Sequence, residues 1–214
     1  MCKFQNLIAF SLIIFTGCSK QNEPTFDMST YDGRVEFFEY ENKTNPSTDL
    51  CMIGDSLTQY YDLNHYFPNT KTKNRGIAGD TTTSLLSRLE RSIKGIDSKY
   101  TLLLIGANNV STFKVDYEEL VQRTIEYLPN TTLYLISITP TCKAYQGYMP
   151  TIQDNNEYIK DMVSKYSLSY IDLYTQLIDP ETGLLNEKYT VEGQHFNSDA
   201  YEFITSYLKI ILNL

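Results

Sequence analysis

A serine that could act as a nucleophile follows the first short apolar run after the amino-terminal region. The run Leu50–Gly54 is typical of a buried strand, and Asp55 and Ser56 come directly after it. In an open α/β sheet, ligands bind in the loops at the carboxyl ends of the strands. Because the tetrapeptide Gly-Asp-Ser-Leu also occurs in ordinary turns, it indicates a catalytic serine only together with later segments that fit the same site.

A histidine and an acid near the end of the chain are the candidates for activating this serine. A serine hydroxyl is a weak nucleophile until a base takes its proton, and the usual base is a histidine oriented by a carboxylate. His195 lies shortly before the last predicted helix, with Glu192 three residues earlier and Gly193 between them to allow a tight turn. We therefore expect Ser56, His195 and Glu192 to form a catalytic triad.

Two further segments are candidates for stabilising a negatively charged oxygen during ester cleavage. Such an oxyanion needs hydrogen-bond donors, which glycine-turn N–H groups and side-chain amides supply. Gly79 follows the second predicted strand, and Asn108 follows the most apolar one. Taken separately, these positions favour a helix-start turn for Gly79 and a local turn for Asn108. Their places at neighbouring strand ends favour the catalytic interpretation.

The other histidine, His65, is expected on the surface or at the rim of a pocket. Asp62 precedes it by three residues, so the two side chains form a conceivable metal pair. Two ligands do not make a metal site, and the sequence predicts neither a metal nor a cofactor. Asp55 is not expected to be the triad acid. Its expected role is to hold the nucleophile loop through local hydrogen bonds.

Strands and helices are predicted to alternate along the chain, which indicates a parallel sheet with right-handed crossovers between helix layers. Strands are predicted near 50–54, 70–74, 101–105, 132–138 and 168–173, and helices near 31–44, 81–93, 116–128, 151–166 and 198–212, with Asp80 as the cap of the second helix. Five strands with an early switch in direction indicate the flavodoxin-like order 2-1-3-4-5. The loops after the first three strands then lie side by side.

Together, these segments resemble the conserved blocks of the SGNH hydrolase family, also called GDSL esterases and lipases. The blocks read Gly-Asp-Ser-Leu at 54–57, Gly-Ile-Ala-Gly-Asp-Thr at 76–81, Gly-Ala-Asn-Asn at 106–109 and Glu-Gly-Gln-His at 192–195, and the match covers about residues 31–212. The resemblance implies a three-layer αβα fold without a cofactor, with Ser56 as nucleophile and His195 as base. The implied oxyanion hole consists of the Ser56 and Gly79 amides and the Asn108 side chain.

Two positions depart from the family pattern. The family's triad acid is usually aspartate, whereas this chain has Glu192, which is one methylene longer. Glutamate is the triad acid in other serine hydrolases, so we expect it to serve here. The third block usually ends in aspartate. Asn109 replaces that residue, which removes a charge near the loop but no catalytic group.

Composition indicates one acidic globular domain. The 214 residues suffice for a sizeable core, and 42% hydrophobic with 21% charged residues is typical of a folded protein. The net charge of −8 argues against nucleic-acid binding, which needs a basic surface. Eighteen tyrosines favour ordinary packing, with a sugar-stacking surface as the alternative. Cys51 and Cys142 are expected to be unpaired, because another strand would separate them.

The first residues indicate an export signal. Residues 1–17 contain Lys3, an apolar run too short to span a bilayer and small residues before Cys18. They resemble a bacterial lipoprotein signal, in which Cys18 becomes the lipidated first residue; an ordinary signal peptide is the alternative. We expect a flexible tether over 18–30 and a hydrolase domain over 31–214. The lipid would be the only membrane attachment, on a protein facing the periplasm or cell surface.

These features predict a serine esterase for small-molecule or glycan esters, with short acyl groups such as acetyl esters on extracytoplasmic glycans as the expected substrates. Lysophospholipids, thioesters and longer acyl esters are the alternatives within this class. A non-catalytic lipoprotein that binds a ligand at the serine loop is a second class. A flavodoxin-like phosphate binder is disfavoured, because the first loop lacks a glycine-rich cradle. The loops 57–69 and 139–150 are expected to shape the pocket.

Overall fold

Five parallel strands form the sheet at the centre of the fold. The computed structural model describes residues 24–214, in which the strands are β1 (Ser47–Gly54), β2 (Thr72–Gly76), β3 (Asp97–Leu104), β4 (Thr132–Ile136) and β5 (Ser169–Ile171). They pair in parallel in the order β2-β1-β3-β4-β5. The predicted fold class and strand order are confirmed. The most apolar strand, β3, occupies the centre, where both faces are covered.

Helices cover both faces of this sheet. They are α1 (Tyr31–Thr44), α2 (Ser56–Gln59), α3 (Leu63–Tyr66), α4 (Thr82–Ile93), α5 (Lys114–Tyr127), α6 (Met149–Tyr166), α7 (Leu173–Leu177) and α8 (Ser198–Leu212). Because strand side chains alternate, Cys51 and Ile53 pack with α4, α5 and α6, whereas Leu50 and Met52 pack with α7 and α8. No helix between residues 24 and 214 combines the length and hydropathy that crossing a membrane requires.

The elements differ from the sequence prediction mainly at their ends. β1 and β3 begin earlier than expected, and the stretch 57–69 contains most of α2 and all of α3. The prediction that Asp80 caps α4 is wrong. The cap is Thr81, whose side chain accepts a hydrogen bond from the Ser84 N–H. Asp80 turns inward instead, because its carboxylate pairs with the buried guanidinium of Arg88.

The segment before α1 lies only partly within the described range. The predicted signal peptide, Cys18 and the start of the predicted tether lie outside it. Phe26 packs on α1, with its ring centroid 5.7 Å from that of Phe37 and 5.3 Å from that of Tyr40. Thr30 caps the same helix. The packed domain therefore includes residues ahead of α1.

Candidate active site

Ser56 lies where β1 ends and α2 begins. Asp55 caps α2, because its carboxylate accepts a hydrogen bond of 3.0 Å from the Leu57 N–H. This bond fixes the turn at the carboxyl edge of the sheet. Only 8% of Ser56 is exposed, and that residue lines a cavity. The turn therefore presents the serine to a sheltered space and not to open solvent.

His195 is the hydrogen-bond partner of this serine. Its Nε2 lies 3.2 Å from the Ser56 Oγ, and its Nδ1 contacts the Glu192 Oε1. The same carboxylate oxygen accepts a bond of 3.1 Å from the His195 backbone N–H. A carboxylate on Nδ1 favours the tautomer with the proton there, so Nε2 can accept the serine proton. The structure thus brings together the three residues that the sequence proposes as a triad.

A short bridged loop holds His195 in this position. Thr190 and Phe196 form an isolated antiparallel bridge across the loop. The Thr190 Oγ1 donates to the His195 carbonyl at 2.9 Å and accepts from the Gly193 N–H at 2.7 Å. Gly193 has a φ of 95°, and a Cβ there would lie 2.5 Å from the Cys142 Sγ. Both the backbone conformation and the lack of space therefore require glycine.

The Glu192 carboxyl is ionised at neutral pH. Desolvation works to raise its pKa, but hydrogen bonds from the His195 ring and backbone, together with the charge of that ring, lower the pKa below its ordinary value. The extra methylene of glutamate thus does not prevent contact with the imidazole. A charged acceptor is available to stabilise the imidazolium that forms during proton transfer.

The proposed oxyanion donors are placed at three adjoining turns. Asn108 lines the cavity, and its Nδ2 donates to the Asp80 backbone carbonyl at 2.9 Å, which uses one of its two amide hydrogens. Gly79 is exposed with a φ of 83°, and its N–H has no acceptor among residues 24–214. It is not among the residues that line the cavity. The Ser56 N–H is at the first position of α2, where no helical acceptor is available, and it likewise has no acceptor within residues 24–214.

A buried arginine that the sequence analysis did not identify ties these turns together. Arg88 is 3% exposed, and its Nε donates to the Asp80 carboxylate at 2.7 Å. Its Nη2 donates to the carbonyls of Gly54 and Arg75 at 3.2 and 2.9 Å. One guanidinium therefore joins the ends of β1 and β2 to the turn after β2, and Asp80 in turn holds Asn108.

The sequence pattern of α4 could have indicated that Arg88 is buried. Arg88 lies on the same stripe of α4 as the buried Leu85 and Leu89. A charged side chain on an apolar stripe needs a buried partner. The periodicity does not identify that partner, because Asp80 lies outside the helix.

Asn109, which replaces the usual aspartate of the third block, attaches the loop after β3 to the start of α4. Its Oδ1 accepts from the Thr82 N–H at 3.3 Å, and its Nδ2 donates to the Thr82 Oγ1 at 2.8 Å. An ionised aspartate could accept the first of these bonds but could not donate the second. The amide is therefore suited to this contact.

The cavity beside Ser56 has a volume of about 480 Å³. Of the two loops expected to shape it, 139–150 contributes several residues, whereas 57–69 contributes only Leu57. The reason is that Tyr61 and Leu63 pack into the core beneath α8. Residues 107–112, which follow β3, supply a further wall of the cavity, of which the sequence analysis predicted only Asn108.

His65 borders a separate hollow that also contacts His195 but not Ser56. Asp62 caps α3, and its carboxylate accepts a hydrogen bond of 3.1 Å from the His65 N–H. Within the described range, no three His, Cys, Asp or Glu side chains are grouped so that they could hold a metal ion. The spacing of Asp62 and His65 is therefore explained by the start of a helix.

The two cysteines of the described domain are free thiols, as expected. Cys51 is buried in β1, and burial raises the pKa of its thiol to about 11. Cys142 packs against Gly193 in the loop that carries His195. Both therefore act as small packing residues.

The variant Asp55→Asn is expected to make the stability of the protein less dependent on pH. Burial raises the pKa of the Asp55 carboxyl to about 7, despite the hydrogen bond from Leu57, and the charge of Asp80 adds to the rise. In the unfolded state, an aspartate has a pKa of about 3.9. The folded state therefore holds this proton more tightly, and the free energy of unfolding falls as the pH rises from about 4 through about 7.

Asparagine can still cap Leu57 but does not titrate. Urea denaturation at a series of pH values should therefore show this loss in the wild type and a smaller one in the variant. Parallel pH profiles for the two proteins would contradict the prediction.

Comparison with known proteins relates this chain to a family. The model of the GDSL-like lipase/acylhydrolase family matches residues 52–203. A structure from Streptococcus pneumonia, described as that of a proposed platelet activating factor, is 26% identical, with a TM-score of 0.74 over 85% of this chain and 92% of the other. An acetylxylan esterase from Geobacillus stearothermophilus shares the fold at 14% identity, with a TM-score of 0.64 over 78% of this chain and 94% of the other.

A curated relative is similar over part of its length. N-acylneuraminate cytidylyltransferase from Escherichia coli is 24% identical over 182 residues, which cover 81% of this chain and 42% of that protein. The chain therefore spans less than half the length of this relative.

Proposed function

The chain belongs to the GDSL-like lipase/acylhydrolase family, and we propose that it is a serine esterase that hydrolyses carboxylic esters through an acyl-enzyme. The observation that carries the proposal is the 3.2 Å contact between the Ser56 Oγ and the His195 Nε2, with Glu192 on the other ring nitrogen. Members of this family are hydrolases. A serine with an oriented base is what acyl transfer requires.

Acylation begins at Ser56. Its Oγ attacks the ester carbonyl carbon while the His195 Nε2 takes the hydroxyl proton, and the carbonyl π electrons move to the oxygen. The resulting oxyanion accepts hydrogen bonds from the Ser56 and Gly79 amides and the Asn108 side chain. When this intermediate collapses, the carbon–oxygen bond to the alcohol breaks. His195 gives its proton to the departing alcohol oxygen, and the acyl group stays on Ser56.

Deacylation repeats these steps with water. His195 takes a proton from the water as its oxygen attacks the acyl carbon, and the same donors hold the second oxyanion. Collapse releases the carboxylic acid and returns the proton to the Ser56 Oγ. In both halves, Glu192 holds the ring and stabilises the imidazolium.

Short acyl groups, with acetyl foremost, are the substrates we propose. Hydroxyl and amide side chains make up much of the cavity lining. A long alkyl chain would bury those groups without hydrogen-bond partners, which costs free energy. An acetyl group avoids this cost because it covers little surface. The acetylxylan esterase among the similar folds acts on an ester of this kind.

We propose further that the protein is exported and attached to the membrane through a lipid on Cys18. The support is the charge and apolar run of residues 1–17 and the small residues before the cysteine. Such an enzyme would meet ester-bearing glycans outside the cytoplasm.

Hydrolysis is expected to slow as the acyl chain lengthens. Measuring kcat/KM for 4-nitrophenyl esters from acetate to decanoate should give the highest values at acetate or butyrate. The decanoate value should be at least about tenfold lower, because one unpaired buried polar group costs about 1–3 kcal/mol. A rate that rises towards decanoate would favour the lysophospholipid alternative. Failure of a fluorophosphonate to label Ser56 would favour a non-catalytic ligand-binding protein.

A further inference from the structure

The cavity beside Ser56 is lined by uncharged polar groups. Most of its lining side chains carry a hydroxyl, an amide or an imidazole. Among the lining residues of the described range, none is Asp, Glu, Lys or Arg. A phosphate or carboxylate ligand is normally held by Arg or Lys, and a cationic ligand by acids. The lining therefore favours a ligand that is polar but carries no charge.

Two tyrosines at this cavity are exposed although they are large and aromatic. Tyr145 and Tyr148 lie on the short 3₁₀ segment Lys143–Tyr148 and are 41% and 48% exposed. Neither hydroxyl makes a hydrogen bond within residues 24–214. Their rings thus offer apolar faces, and their hydroxyls offer free donors and acceptors, beside the nucleophile.

A sugar ring matches this combination. Its C–H faces are apolar and can lie on an aromatic ring, whereas its hydroxyl edge needs many neutral hydrogen-bond partners. A long acyl chain would leave the hydroxyls and amides of the cavity unpaired. The negative charge of the whole protein, −8, further disfavours a glycan that carries carboxylates or phosphates.

We propose that the alcohol half of the ester is an uncharged sugar, and that Tyr145 and Tyr148 form the subsite on which its ring stacks. This inference rests on the proposed esterase activity and names the class of alcohol that the same site accepts. The reaction then releases a carboxylic acid and restores the sugar hydroxyl.

The test compares two acetyl esters. One is a monoacetylated neutral methyl glycoside, and the other is trifluoroethyl acetate, whose alcohol is small and has no ring to stack. The ratio of their kcat/KM values isolates recognition of the sugar from the chemistry at Ser56. We expect the double variant Tyr145→Ala/Tyr148→Ala to lower this ratio about tenfold, mainly through a higher KM for the glycoside, since both ring faces on which the sugar stacks are lost.

Matched variants separate stacking from other effects. The double variant with phenylalanine at both positions keeps the ring faces and should restore most of the ratio. Val115→Ala alters an exposed side chain outside the cavity and should leave both rates as in the wild type. The acetylated uronate of the same sugar should have a kcat/KM at least about tenfold below that of the neutral glycoside, because neither Lys nor Arg lines the cavity among residues 24–214.

The inference is overturned if alanine at both positions leaves the ratio unchanged, or if the uronate or a lysophospholipid is hydrolysed better than the neutral glycoside. It is also overturned if phenylalanine lowers the ratio as much as alanine does. A different result would show that the proposed esterase activity itself is wrong. In that case wild type and Ser56→Ala would hydrolyse trifluoroethyl acetate equally slowly.

Discussion

Replacing Ser56 with alanine is expected to lower kcat for an acetyl ester by about 10⁴-fold or more. The hydroxyl that lies 3.2 Å from the His195 Nε2 is the proposed nucleophile, and no acyl-enzyme can form without it. The residual rate would come from binding and from the oxyanion donors, which do not depend on the serine hydroxyl. Steady-state hydrolysis of 4-nitrophenyl acetate measures the effect directly.

A second substitution shows whether the serine and the histidine act as a unit. The double variant Ser56→Ala/His195→Ala should be no slower than Ser56→Ala alone, because a base without its nucleophile has no proton to take. Ser206→Ala is a matched control. Ser206 is an exposed serine of α8 whose hydroxyl donates to the Glu202 carbonyl, and its loss should leave the rate unchanged. Equal rates for wild type and Ser56→Ala would remove the basis of the proposed function.

Replacing Arg88 with methionine is expected to lower the free energy of unfolding by about 3–5 kcal/mol. The Arg88 and Asp80 side chains are 2% and 0% exposed, with the guanidinium 2.6 Å from the carboxylate. Removing one partner leaves a charge buried without compensation, which costs far more than the net contribution of the intact pair. The carbonyls of Gly54 and Arg75 would each also lose the hydrogen bond that Arg88 donates. Urea denaturation with a fluorescence or circular-dichroism signal measures the change.

Two controls separate the buried charge from the loss of an arginine in general. Adding Asp80→Asn to Arg88→Met should recover part of the stability, since the remaining partner is then neutral. Arg123→Met breaks exposed ion pairs with Glu119 and Glu126 and should cost at most about 1 kcal/mol. An Arg88→Met variant as stable as Arg123→Met would show that the buried pair does not hold these loops.

Much of the site could be predicted because its parts are local in the sequence. The serine follows a short apolar run, and the acid precedes the histidine by three residues with a glycine between them. Strand burial and helix amphipathicity repeat over a few residues, so they are visible without a structure. From the alternation of these elements, the strand order and the edge of the sheet that carries the site follow.

Asp80 shows where this reasoning stops. An acid just before an apolar helix pattern indicates a cap, yet Thr81 takes that role and Asp80 forms an ion pair with Arg88. Asp80 and Thr81 both fit the sequence pattern of a helix cap. Which of them caps α4 depends on the Arg88 guanidinium, which reaches the turn from inside the fold. The Asn108 amide is similar, since its bond to the Asp80 carbonyl joins two loops that are distant in the chain.

The amino-acid sequence by itself determined the fold class, the strand order and the residues proposed for catalysis, because each depends on short-range patterns and on the general geometry of parallel sheets. Only the tertiary structure decided that Glu192 reaches the His195 ring, that Arg88 joins the ends of β1 and β2 to the turn after β2, and that residues 107–112 line the cavity beside the nucleophile. These features depend on distances between segments far apart in the chain. Such distances follow from how the layers pack, and no local periodicity encodes them.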